Sequence, residues 1–297
     1  VASIGLSAYG MTGAELVELA VAADAVGFDA LWVGEHVLRP VAQASGHPST
    51  GTVQHHSGPL IAPETELTDP LVVHAAITAR THRIKLGTAV YLAPLRHPLH
   101  TARSTITLQE LSGGRLLLGV GAGWLEEEFD AFGVPFRTRV SRTEECLEVL
   151  RAAWSGTVFS YEGRHFRFDA VQVHPRRVDI PAILGGNGPA ALTRAARLGD
   201  GWFTSGTPSF DEARQLVREV HRHRADAGAT GAFTCYVRAA APDIAELRRY
   251  RDHGMDDLVL WADTVWRGRT LDERRDNLAA FAGSAGLVPV ASSRVAG

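Results

Sequence analysis

The chain has a single lysine, Lys85, among its 297 residues. That scarcity narrows the chemistry. A Schiff-base enzyme or a P-loop NTPase needs a well-placed lysine, and only this one is available. Cysteine is nearly as scarce. Cys146 and Cys235 lie far apart with no C-x-x-C spacing, so neither a disulfide framework nor a thiolate zinc site is expected. A dominant charge of one sign is also missing. The formal net charge of -3 gives no electrostatic reason to expect nucleic acid or an anionic membrane as partner. No basic segment leading into an apolar core opens the chain, and no signal peptide is expected. The uncharged stretch from Ala282 is broken by Gly, Ser and Pro and is too polar to span a bilayer. These absences point to a soluble, cytoplasmic protein whose partner is a small molecule.

What is present is a repeating order. Short apolar runs alternate with longer amphipathic ones. Ser3–Ser7 precedes a helical pattern at Gly13–Val26, and the strand Asp29–Gly34 follows. Asp69–Thr81 reads as a helix with Asp69 as N-cap and Pro70 in its first turn. The strand Ile84–Tyr91 leads to the helix Pro98–Leu111, which Gly113-Gly114 ends. Arg115–Val120 is a fourth strand, and Ser141–Trp154 a strongly amphipathic fourth helix. The alternation continues through Pro181–Leu184, Pro189–Leu198, Gly201–Thr204, Phe210–Ala227, Phe233–Ala239, Ile244–Arg251, Asp257–Trp261 and Leu271–Phe281. Strict alternation means parallel strands covered by helices. Eight such units in about 250 residues predict an α/β fold, a (β/α)8 TIM barrel, over residues 1–285. Residues 286–297 read as a flexible tail.

Two segments break the rhythm. Residues 37–68, after strand 2, are rich in Pro, Gly, Ser and His; residues 157–178, after helix 4, suggest a β-hairpin around Glu162-Gly163. The first follows the C-terminal end of a barrel strand, where barrel active sites lie.

Four strand ends carry unusual residues. Trp32-Val33-Gly34 runs straight into Glu35 and His36, an acid and an imidazole able to handle a proton. Gly87-Thr88-Ala89-Val90-Tyr91 has small residues that let a backbone or a flat ring approach. The stretch GRLLLGVGAGWLEEEF, residues 114–129, places glycines between a strand and a helix. Its G-x-G-x-G spacing is not the G-x-G-x-x-G dinucleotide fingerprint, because Trp124 stands where the third glycine belongs. Gly121 and Gly123 are expected to clear room at the strand top, and Glu127 to turn inward while Glu126 and Glu128 face solvent. The fourth stretch, GGNGPAA, is the strongest. Gly185, Gly186, Asn187 and Gly188 lead into a helix at Pro189, a start whose free amides suit a phosphate. His55-His56 and His97-x-x-His100 lack the spacing of a metal site, and none is expected.

Taken together, LWVGEHV, IKLGTAVYLAPLRHP, LSGGRLLLGVGAGWLEEEFDAFG, TEECLEVLRAAW and ILGGNGPAALTRAARLGDGWF resemble the bacterial-luciferase-like flavin and deazaflavin oxidoreductases. The last and the third of these are most similar to the branch dependent on coenzyme F420, an 8-hydroxy-5-deazaflavin. The resemblance implies hydride transfer between the deazaflavin and a small organic substrate. It implies a non-proline cis peptide at a bulge matching Ala89-Val90, beside the cofactor's central ring. It places Glu35 and His36 near that ring, Gly121–Glu127 beside it, and Gly185, Gly186, Asn187 and Gly188 at the phosphate. His36 becomes the candidate acid/base. Sugar-phosphate dehydrogenases of the family carry a glutamate where Trp124 stands. That difference argues against a sugar phosphate and for a more apolar pocket. An FMN-dependent monooxygenase is the alternative on the same scaffold, and a non-catalytic flavin-binding protein a second. The resemblance also implies a homodimer, with the second and third helices as its apolar face.

Overall fold

The computed structural model describes residues 3–46 and 61–289. The strands are β1 (Ser3–Ala8), β2 (Ala30–Val33), β3 (Lys85–Thr88), β4 (Leu116–Val120), β5 (Phe159–Glu162), β6 (Arg167–Val171), β7 (Ala182–Gly185), β8 (Gly201–Phe203), β9 (Thr234–Arg238) and β10 (Asp257–Trp261). The helices are α1 (Gly13–Val26), α2 (Pro70–Thr78), α3 (Pro98–Ser112), α4 (Glu126–Ala131), α5 (Arg139–Trp154), α6 (Pro189–Leu198), α7 (Phe210–Asp226), α8 (Ile244–Arg251) and α9 (Leu271–Ser284). Eight strands close into a parallel barrel in the order β1-β2-β3-β4-β7-β8-β9-β10 and back to β1. The fold is therefore the expected (β/α)8 barrel. β5 and β6 form the separate hairpin, paired Glu162 to Arg167 and Phe159 to Val171.

Local chemistry explains the boundaries. Asp69 accepts hydrogen bonds from the Leu71 and Val72 amides, and Pro70 fills the first helical position of α2. Gly113 ends α3 in the left-handed conformation, φ 66°. Capping boxes start α7 at Ser209/Glu212 and α9 at Thr270/Glu273. Every residue of β4 is buried, as a parallel strand covered on both faces requires. Inside the barrel Trp32, Phe203 and Tyr236 pack ring against ring, with Trp32 at 4.8 and 4.6 Å from the other two centroids. Side chains of this kind fill the barrel, so ligands are left its rim. Lys85 sits at the opposite end, paired with Asp29 at 3.1 Å.

Two sequence expectations need correction. β3 stops at Thr88 rather than Tyr91, because the backbone leaves the ladder through a cis Ala89–Val90 peptide. The short helix α4 stands between β4 and α5. Leu287, within the segment read as a tail, is buried against the core. Among the described residues no helix is long and apolar enough to cross a membrane.

One buried group makes the barrel sensitive to acid. His74 on α2 has no solvent exposure and its Nε2 lies 2.9 Å from the Gly87 carbonyl, to which it donates when neutral. Burial pushes its imidazole from 6.5 down to about 4. Between those values the unfolded chain holds a proton that the folded chain does not, so stability falls as pH falls through this window. The full loss is roughly 3 kcal/mol, complete below about pH 4. Urea midpoints at pH 7 and 4.5 are expected to differ less for His74→Gln than for the unaltered protein. An equal shift in both would dismiss His74 as the source.

Candidate functional site

The C-terminal ends of the barrel strands open into one cavity of about 580 Å³. Of the sequence-predicted site residues, all but Glu127 line it. Its back wall is built by β3, β4 and β7. The cis Ala89–Val90 peptide turns the Val90 side chain between two bare strand ends. A Cβ on Gly121 would collide with Val90 Cγ2, and one on Gly185 would lie 2.9 Å from Val90 Cγ1. The glycines therefore make room first for Val90, and Val90 forms the apolar shelf that a flat ring would meet. Gly123, at φ 81°, carries the chain on to Trp124.

The second wall carries the titratable groups. His36, 9% exposed, stands just beyond β2. Its Nδ1 lies 3.0 Å from Glu128 Oε2. The other carboxylate oxygen of Glu128 accepts from the Val37 amide at 2.6 Å and the Leu38 amide at 3.4 Å. Glu128 is itself fully buried. A carboxylate at Nδ1 keeps a proton on that nitrogen and leaves Nε2 for a ligand. Trp124 meets the His36 ring edge-on, with centroids 5.3 Å apart, and Tyr9 does so from another side at 6.0 Å. Burial, and then the Glu128 charge, push the Tyr9 phenol up, so it is a neutral hydroxyl.

Two expected roles move. The inward glutamate is Glu128, not Glu127. Leu125 and Phe129 anchor this turn in the apolar interior, and a residue three after Leu125 shares their face. Glu127 instead accepts from the Ala44 and Ser45 amides at 2.6 and 3.0 Å, which draw its carboxyl down to about 2. It fastens the segment after β2 rather than facing the cavity. Glu35 reaches the cavity edge, but its carboxylate turns away from His36. It takes both nitrogens of the Arg96 fork, at 3.0 and 2.7 Å, and the Leu92 amide at 2.7 Å. Burial pushes the Glu35 carboxyl up, and Arg96 pulls against it.

The third wall suits an anion. α6 begins at Pro189 with Gly188 as its N-cap and no side-chain cap on its amides. Nothing lies within 4 Å of where a Gly188 Cβ would stand, so the cradle is open. Asn187 holds the loop in place by exchanging hydrogen bonds with the Ser205 backbone, both at 2.8 Å. Arg139 and Arg194 line the same cavity. Uncapped amides, two guanidiniums and an open cradle fit a phosphate-bearing cofactor. Val90 supplies the apolar shelf for its ring.

Sequence reading missed Tyr9, Glu128, Arg139 and Arg238. Tyr9 follows the end of β1, and Arg238 is the last residue of β9, the strand ends that drew attention to His36. Among the described residues no group of three or more His, Cys, Asp or Glu is placed to hold a metal, and His55-His56 lie outside them.

Known proteins with this fold are informative. The family model of the luciferase-like monooxygenases matches residues 2–285. An uncharacterized protein of Mycobacterium tuberculosis is 31% identical over 249 residues, 82% of this chain and 83% of that one. An F420-dependent glucose-6-phosphate dehydrogenase of Nakamurella multipartita is 33% identical over 196 residues, 64% of this chain and 52% of its own. Among solved structures, the monooxygenase RslO1 from Streptomyces bottropensis superposes with a TM-score of 0.76. It is 20% identical and covers 95% of this chain and 98% of its own. The chain belongs to the luciferase-like monooxygenase family.

Proposed function

We propose that the protein is an F420-dependent oxidoreductase acting on a small organic substrate. The observation that carries this reading is the Glu128–His36 pair, which faces the same cavity as the Val90 shelf and the open α6 cradle. The relative in Nakamurella multipartita, itself F420-dependent by name, supports the cofactor. When bound, a deazaflavin supplies or accepts a hydride at its central ring. The protein's own residues bind, orient and handle the proton. The α6 amides with Arg139 and Arg194 hold the anionic arm. Val90 seats the ring. His36 gives or takes the proton at Nε2, and Glu128 fixes the ring that does so. Trp124 lies beside His36, at the position where the resemblance implies an acid in the family's sugar-phosphate enzymes; an indole there favours a substrate other than a sugar phosphate.

F420 and FMN differ in the arm. F420 extends past its phosphate into a chain of glutamates, and FMN ends at the phosphate. Fluorescence titration of the purified protein with each is the direct test, and tight FMN binding without F420 binding would sink the reading. Burial pushes the Arg194 guanidinium down, the Glu144 charge offsets part of this, and the neighbouring Arg139 adds to it, so an incoming anion would stabilise the charged form. Arg194→Gln is expected to weaken F420 about tenfold and to flatten the salt dependence of binding. An unchanged salt slope would place the arm elsewhere.

We place a homodimer contact on α2 and α3, where Val72 and Leu111 are 71% and 63% exposed. Sedimentation at a monomer's mass at micromolar concentration would refute it.

A further inference from the structure

Arg238 ends β9 and is 4% exposed. It lines the cavity between two rings, its guanidinium carbon 4.1 Å from the Trp261 centroid and 4.9 Å from that of Phe203. One terminal nitrogen donates to the Gly206 carbonyl at 2.7 Å and the other to Ser7 Oγ at 3.0 Å. Both acceptors are neutral. Nε has no hydrogen-bond partner among the described residues, and no described carboxylate pairs with this guanidinium. Burial alone pushes it down to about 9. A charge taken out of water without a counter-ion is unfavourable, and proteins keep such groups paired. Arg96, also partly buried, has Glu35; Arg224, 8% exposed, lacks a carboxylate but donates to three backbone carbonyls and is not among the residues lining this cavity.

Position shows what completes Arg238. The cofactor seat occupies β3, β4 and β7, and the α6 cradle follows β7. In the barrel order, β8, β9, β10 and β1 form the facing arc. Ser7, Phe203, Arg238 and Trp261 all belong to that arc, so a substrate between the two arcs has its far end against Arg238. Arg139 and Arg194 stand with the cradle, so Arg238 meets the substrate as a single cation. A planar fork with one charge matches one carboxylate. The walls beside it are aromatic, and the cavity must hold the cofactor too, so the acid is small.

We propose that Arg238 is the counter-ion for a carboxylate carried by the substrate, and that the enzyme acts on small organic acids with an apolar body. The assignment of Arg238 to the substrate side rests on the cofactor seat proposed above; the unpaired cation does not. Held by its carboxylate, the acid is oriented with its other end toward Val90 and His36.

The test uses the purified protein without cofactor. Benzoate, phenylacetate and hexanoate are each titrated against their own amides by calorimetry, with the unaltered protein, Arg238→Gln and Arg238→Lys. F420 is titrated into all three proteins. At least one acid is expected to bind about tenfold or more tighter than its amide. Arg238→Gln should abolish that preference without changing F420 affinity, and Arg238→Lys should restore part of it. If no acid is preferred by the unaltered protein, the proposal fails, whether or not the variants fold. It fails equally if Arg238→Gln keeps the preference. If Arg238→Gln loses F420 while still folded by circular dichroism, Arg238 belongs to the cofactor and the proposal is overturned. Absence of F420 binding to the unaltered protein, with the acid preference intact, removes the cofactor reading and leaves the anion site standing.

Discussion

Replacement of His36 by alanine is expected to lower turnover about 10²–10⁴-fold while F420 affinity stays within about threefold. The imidazole lines the cavity but is not part of the α6 cradle or the Val90 shelf, so its loss removes a proton donor and little binding. Glu128→Gln should produce much of the same loss for a different reason. In the native pair the Nδ1 proton points at a carboxylate that also accepts two backbone amides. A glutamine that keeps its oxygen on the Val37 and Leu38 amides must present its NH2 to Nδ1. The ring proton then moves to Nε2, and the imidazolium loses its negative partner. The flipped amide sets donor against donor in a buried site, at about 1–3 kcal/mol. A triad histidine loses about 10⁴ when its aspartate becomes asparagine, for this reason of tautomer. Glu128 is thus a positioning residue. Ring-nitrogen NMR shifts of His36 should show the exchanged tautomer in Glu128→Gln. The double variant should turn over no more slowly than His36→Ala. Independent, multiplying losses would show that Glu128 does not act through His36.

The barrel was legible because its signals are local. Short apolar strands, proline at the first turn of α2, α3 and α6, and glycine after α3 each act within a few residues. Strand-end residues with unusual chemistry were legible too, since the fold brings every strand top to one rim. The error over Glu127 came from treating three adjacent glutamates without their apolar neighbours. Leu125 and Phe129 are buried, and helical spacing from them selects Glu128. Glu35 lines the cavity as expected, but its pairing with Arg96, 61 residues away, was not read. No local pattern announces that pairing. Arg238 had a visible signal, a lone charge closing the apolar run of β9, but its lack of a counter-ion is a property of the folded arc alone.

The glycine at the β3–β4 seam, below the Val90 shelf, carries the largest expected structural effect. Gly119→Ala should prevent folding, with a loss of more than about 4 kcal/mol, read as absent soluble protein or a collapsed urea transition. Its Cβ would collide with the Thr88 carbonyl oxygen and stand 2.9 Å from the Thr88 carbonyl carbon. Neither atom can retreat. The Thr88 hydroxyl donates to the Gly119 carbonyl at 2.7 Å, and the Tyr91 amide reaches the same oxygen at 2.7 Å. Moving Thr88 would therefore pull apart the β3–β4 seam and the bulge that presents Val90. Gly188→Ala is the control: its φ of −71° suits any residue and its Cβ would meet open space, so stability should change by less than about 1 kcal/mol. If Gly119→Ala folds with a native urea midpoint, the close approach of β3 and β4 is not what demands glycine there. The same result would weaken the account of the shelf, because Gly121 is bare for the Val90 side chain, which the bulge that Gly119 helps hold in place presents.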